Sequence, residues 1–227
     1  MIFNRKLIDI VNEPGWRYFK GHPYTRIEKT AKIVGNAKVC ENARVSGISK
    51  INGEARVSGN AIIWGNATVT GYAEVFDNAN VGGKASVHGN AKIFGNAQVH
   101  DNALIRGDAI IRDDALVHDN AWVSGKAQIA GRAEVHAHAN IDGNGEILKT
   151  EDYMVIKVPN RFYTPYLTLH RDTKIGIRIN DFDITHFSGT LEEHIYRNRK
   201  LNNQYFHQIM ITKYYDILKD RMTPLEA

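Results

Sequence analysis

His100, His118 and His136 stand eighteen residues apart, each directly after a Val. Evenly spaced imidazoles suggest three kinds of chemistry. One of them, with His118 as the candidate, could act as general base on an acceptor hydroxyl or amine. Neutral imidazoles about 4.8 Å apart could share a metal across a subunit interface. Together with His88, Arg106 and Arg112, they could instead supply donors and positive charge to a small anion. All three need an element that keeps residues eighteen apart in line.

That element is a repeat. Every sixth residue from Ile27 to Ile147 is Val or Ile, twenty-one positions without a miss, and the same step from Ala31 to Gly145 places Ala at eighteen positions of twenty. Only Ser49 and Gly145 depart from it. So short and strict a period over half of a chain predicts a stacked repeat fold. In a unit such as Ala43-Arg44-Val45-Ser46, Ala and Val alternate with polar residues, which predicts a four-residue strand with its small and β-branched side chains inward. Gly-Asn or Asp-Asn usually follows; these residues tolerate positive φ and predict a corner. Three units then form a turn of eighteen residues, and seven turns give a prism roughly 34 Å tall.

The residue after each Val or Ile points outward, so the prism sorts side chains into three columns. One runs Trp64, Gly82, His100, His118, His136; the next Thr70, His88, Arg106, Ser124, Asp142; the third Phe76, Phe94, Arg112, Ala130. Stacked outward aromatics mark an interface, which makes Trp64, Phe76 and Phe94 candidates for contact between subunits or with the C-terminal module. Asn42, Asn60, Asn78 and Asn96 share one corner and predict a hydrogen-bonded ladder.

From Ile27 through Ile147, an aliphatic residue followed four positions later by a small one resembles the hexapeptide-repeat proteins. The resemblance implies a left-handed parallel β-helix, against the usual right-handed crossover, and a homotrimer with sites between subunits. Many members are acyltransferases using acetyl-CoA or related donors. A few are zinc carbonic anhydrases, but an eighteen-residue column does not reproduce their histidine spacing, so no metal ligand is assigned. The Val-x-Gly-Asn-Ala-x variant is similar to bacterial and phage proteins often labelled acetyltransferases. Family acyltransferases commonly extrude a loop that closes over donor or acceptor. Here the repeats run unbroken, which argues against a conventional member of that branch.

Composition and flanks set the remaining bounds. A single cysteine, Cys40, excludes a disulfide within the chain and suggests a cytoplasmic setting. No apolar run is long enough for a membrane span or secretory signal. Residues 1–60 hold 11 Lys and Arg against 5 Asp and Glu, and residues 61–227 hold 18 against 20. Stacking Arg26 on Arg44, Lys32 on Lys50 and Lys38 on Arg56 places a basic collar around the N-terminal end. Without interleaved aromatics the collar does not read as a nucleic-acid site. An open prism end needs a cap, and Leu7, Ile8, Ile10 and Val11 are candidates. After Gly145 the period stops: Tyr153–Val158, Tyr163–His170 and Lys174–Asn180 predict strands. Thr190-Leu191-Glu192-Glu193 predicts a capping box opening a helix at 190–199, and apolar spacing predicts a second helix at 204–221.

The reading is therefore a mainly β chain: an N-terminal cap in residues 1–25, a left-handed parallel β-helix of about seven turns in 26–149, and a small α+β module in 150–227 ending in two helices. The function expected is a homotrimer that binds a small anionic ligand in grooves between subunits, through His88, His100, Arg106, Arg112, His118 and His136. A host signalling nucleotide sequestered by a phage protein is one such ligand. No cofactor, membrane or nucleic-acid partner is expected. The alternative is an acyltransferase with His118 as general base and acetyl-CoA as donor.

Overall fold

The computed structural model of the chain describes residues 10–13, 16–19, 22–157, 166–181, 188–193, 196 and 205–221. Its centre is a three-sided parallel β-helix of about seven turns, the mainly β class that the repeat predicts. One wall has nine strands, because Ile10–Glu13 and Trp16–Phe19 extend it antiparallel beyond His22–Glu28; the other two walls have seven each. Register is eighteen throughout, as in Val69 beside Val87 and Val99 beside Val117. The strands are shorter than the four residues expected, only pairs such as Arg44–Val45. Hydrogen bonding still runs past each pair, from Arg26 N to Ala43 O and from Ser46 N to Ile63 O. The chain must bend every six residues, so only two per side keep strand geometry.

Inward Val and Ile are completely buried from Val45 to Ile147, as are the Ala residues from Ala43 to Ala139. Each Val or Ile contributes about 1.5–3 kcal/mol by leaving water. Ala keeps the corners narrow. Both departures from the Ala column have local causes. Ser49 is buried and its hydroxyl donates to Ser46 O at 2.7 Å. At Gly145 an added Cβ would come within 2.9 Å of His170 Cε1, so the glycine makes room for a side chain from outside the repeat.

Corners explain the Gly-Asn and Asp-Asn pairs. Gly47 sits at φ +70°, and a Cβ there would come within 2.4 Å of Gly65 O in the next corner. Several corners instead place an acidic residue at φ near +60°, among them Asp77, Asp101, Asp113 and Asp119. Each of these carboxylates accepts the N–H of the corner residue one turn on: Asp77 from Gly95, Asp101 from Asp119, Asp113 from Gly131, and Asp119 from Ala137. That bond offsets part of the cost of a left-handed non-glycine residue. The expected asparagine ladder is present: Asn42 donates to Asn60, Asn60 to Asn78, Asn78 to Asn96, and Asn96 to Asp114, at 2.9–3.1 Å.

In the coil, N–H groups of one turn donate to carbonyls of the next. The last turn therefore presents donors with no strand beyond it, and the C-terminal segment answers them with side chains. Thr150 Oγ1 accepts from Glu134 N, Tyr153 Oη from His136 N, and Asp152 Oδ2 from Leu148 N and Lys149 N. Strand Tyr166–Asp172 then turns alternate residues to the coil. Thr168 Oγ1 accepts from Asn140 N at 2.9 Å, His170 Nε2 from Asp142 N at 3.4 Å, and Asp172 Oδ2 from Asn144 N at 3.1 Å. His170 is fully buried; its Nδ1–H donates to Arg171 O, and burial pushes its pKa below the ordinary value. A neutral ring is what the acceptor role at Nε2 requires.

Strands Tyr153–Lys157, Tyr166–Asp172, Gly176–Asp181 and Ser188–Gly189 form one antiparallel sheet. Behind it Leu169, Ile177 and Ile179 pack with Leu218 of helix Tyr205–Arg221. The capping box forms as predicted: Thr190 N donates to Glu193 Oε2 and Glu193 N to Thr190 Oγ1. The remainder of that first expected helix lies largely outside the described residues, as do Leu7 and Ile8 of the expected cap. Among the described residues no helix is long and apolar enough to cross a membrane.

Candidate functional site

The three columns stand on three different walls, so the six candidate ligand residues do not converge within one chain. His100, His118 and His136 share one wall, His88 and Arg106 the second, and Arg112 the third. What the structure brings together is different on each.

On the first wall the imidazoles stack. Ring centroids are 5.3 Å apart for His100 and His118 and 5.5 Å for His118 and His136, and the column ends edge-on against Tyr153. Carboxylates surround it. His118 Nε2 lies 2.9 Å from Glu134 Oε1, and its Nδ1 lies 3.2 Å from Asp119 Oδ1 and 3.9 Å from Asp101 Oδ2. His100 Nδ1 lies 3.0 Å from the same Asp101 oxygen. Burial alone would lower the His118 pKa, but the hydrogen bonds to Glu134 and Asp119 outweigh it and raise the value. The Asp119 carboxyl is held below its usual range, chiefly by the N–H of Ala137.

At its C-terminal end this column enters a cleft of about 480 Å³ between coil and C-terminal module, lined by His136, Thr150, Glu151, Tyr153, Met154 and Arg221. Burial pushes the Tyr153 phenol up to about 12, so it stays protonated at neutral pH. At the other end the Trp64 indole lies over Gly82 and donates Nε1–H to Asn80 Oδ1 at 2.6 Å; any Cβ at Gly82 would collide with the indole. Trp64 remains 42 % exposed.

The second wall has the opposite character. The Arg106 guanidinium lies 4.4 Å from the centroid of the Trp122 ring, one turn on, and His88 stands one turn before it. Burial, and then the charge of Arg106, lower the His88 pKa. Among the described residues neither Arg106 nor His88 makes an ion pair. On the third wall Phe76 and Phe94 stack at 4.9 Å and 5°, while Arg112 is held by Asp113 at 2.7 Å. Arg112 is therefore less available to a ligand than Arg106. Cys40 is half-buried, and burial raises its thiol pKa, so it is not an activated nucleophile.

Sequence reasoning missed Trp122, Asp101, Asp119 and Glu134. The two Asp residues were visible as His-Asp pairs repeated at eighteen. Trp122 and Glu134 precede an inward Val, an outward position that the three columns left out.

No family model matches the chain, and no curated protein matches it. Among solved structures, the chain is similar to the crystal structure of LpxA, a UDP-N-acetylglucosamine acyltransferase from Bacteroides fragilis 9343. The likeness has 18% identity and a TM-score of 0.22, over 55% of this chain and 67% of that one. Neither the activity of that enzyme nor its assembly transfers on a likeness of this size.

Proposed function

We propose that the chain is a binding protein, a homotrimer of β-helices that takes a small phosphate-bearing anion such as a nucleotide against the wall carrying His88, Arg106 and Trp122. The observation that carries this reading is the state of Arg106: an exposed guanidinium, seated on an indole, with no carboxylate paired to it among the described residues. Such a group offers a charge-assisted fork to phosphate, and Trp122 supplies apolar surface beside it. The trimer is supported by the exposed Trp64 and by the stacked Phe76 and Phe94.

The acyltransferase alternative has less support. No loop leaves the coil between Ile27 and Ile147, and both nitrogens of His118 face carboxylates, leaving neither free to accept a proton from substrate. A thermal-shift screen with mono-, di- and cyclic nucleotides and with acetyl-CoA tests the choice. A nucleotide should raise Tm, and Arg106→Ala should remove that rise. A rise with acetyl-CoA alone, with acetyl transfer lost in His118→Ala, would move the assignment to the alternative. Light scattering should return three chain masses; a monomer would remove the grooves.

A further inference from the structure

The carboxylates on the histidine wall are unsuited to an anion and have a different use. We propose that Asp101, His118 and Asp119 form a binding site for a divalent transition-metal ion of the zinc class, with Glu134 and His100 as positioning residues.

One ligand atom from each of the three lies within 4.8 Å of the others. A metal about 2.1 Å from nitrogen and oxygen ligands sets such atoms roughly 3–3.5 Å apart, so small side-chain rotations close the site. The decisive geometry is at His118. Its Nε2 is on Glu134 Oε1 at 2.9 Å, an arrangement that places a ring proton there. Nδ1 faces Asp119 Oδ1 at 3.2 Å and Asp101 Oδ2 at 3.9 Å; in the metal-free chain it shares a proton with Asp119, and a metal would take that proton's place between the same three atoms. A histidine that gives its outer N–H to a carboxylate and its inner lone pair to a metal is the usual way such ligands are oriented.

Asp119 also has oxygen to spare. At Asp119 the corner N–H is taken by Oδ2, leaving Oδ1 on the imidazole. Asp101 Oδ2, the oxygen that faces His118, is held in place by His100 Nδ1 at 3.0 Å and by the Asp119 N–H at 3.4 Å. The acidic corners at Asp77 and Asp113 have the same backbone but follow Phe76 and Arg112, so they lack an imidazole. One imidazole and two carboxylates suit Zn²⁺, Co²⁺ or Mn²⁺, with the remaining positions left to water or to a ligand.

The test is titration of Co²⁺ into the EDTA-stripped, desalted full chain, followed by visible absorption and then displacement by Zn²⁺. One equivalent per chain is expected. His118→Gln and Asp119→Asn should each weaken it at least tenfold, and Glu134→Gln 10–100-fold, while His88→Gln leaves it unchanged. Circular dichroism of each variant separates loss of metal from loss of fold, and the ¹⁵N shift of His118 Nδ1 on adding Zn²⁺ reports ligation without mutation. Absence of saturable binding, binding indifferent to Asp119→Asn, or an Nδ1 resonance unmoved by Zn²⁺ would each overturn the proposal. The nucleotide screen concerns another wall, so the two proposals can fail separately.

Discussion

The wall that carries His118 and the wall that carries Arg106 share one scaffold: two-residue strands, eighteen-residue register, buried Val or Ile behind each outward residue. Their chemistry diverges completely. On one, imidazoles sit among Asp101, Asp119 and Glu134; on the other, an imidazole and a guanidinium stand with an indole and no paired carboxylate among the described residues. The contrast teaches that in a coil the core does not constrain the surface. Inward positions repeat with little variation, so every outward column can be written independently, and the charge of a site is decided by which corner residue happens to stand beside it.

The largest expected break in this contrast is Arg106→Ala. Loss of a charge-assisted contact of about 1.5–3 kcal/mol should weaken nucleotide binding 10–100-fold in calorimetry, while His118→Gln leaves it within twofold. Equal losses from both variants would mean that the two walls act as one site. Next in size is Gly82→Ala, which drives a methyl into the Trp64 indole and should cost about 1–3 kcal/mol in thermal unfolding. An unchanged Tm would show that Trp64 is free to lift away.

Proton binding should also differ between the walls. In metal-free protein, NMR titration should find His88 below the ordinary value near 6.5 and His118 above it. The consequences for stability have opposite signs. With His88 lowered, the unfolded chain binds more protons, so its contribution falls as pH drops through about 6.5. The contribution of His118 is fully present below about 6.5 and is lost as pH rises through its raised folded value. The reverse order of midpoints would dissolve the distinction. The smallest effect is expected for Arg106→Lys, which keeps the charge but gives up the planar stack on Trp122, about 0.5–1 kcal/mol in nucleotide affinity.

Much of this was legible in the repeat. Period six set the sides, and eighteen set the columns, so the neighbours of His118 along the stack and the asparagine corner could be read directly. Glu134 could not, because it reaches His118 diagonally, sixteen residues on, from a position that points outward on the next turn. Nor could the role of Thr168, His170 and Asp172. They lie beyond the periodic region, and their partners are main-chain N–H groups, which carry no sequence signal. Gly145 was the one hint, a missing methyl within the repeat that marks where His170 enters.

In the terms of polymer growth, each turn of the coil is a monomer added to a chain end, and the last turn is an end that still propagates. Its N–H groups would accept another strand from any molecule offering carbonyls. Thr168, His170 and Asp172 act as a terminator built into the same chain, answering those groups with oxygen and nitrogen atoms that cannot themselves be extended. The number of turns is thus written twice, once in the count of repeats and once in the side chains that stop the stack.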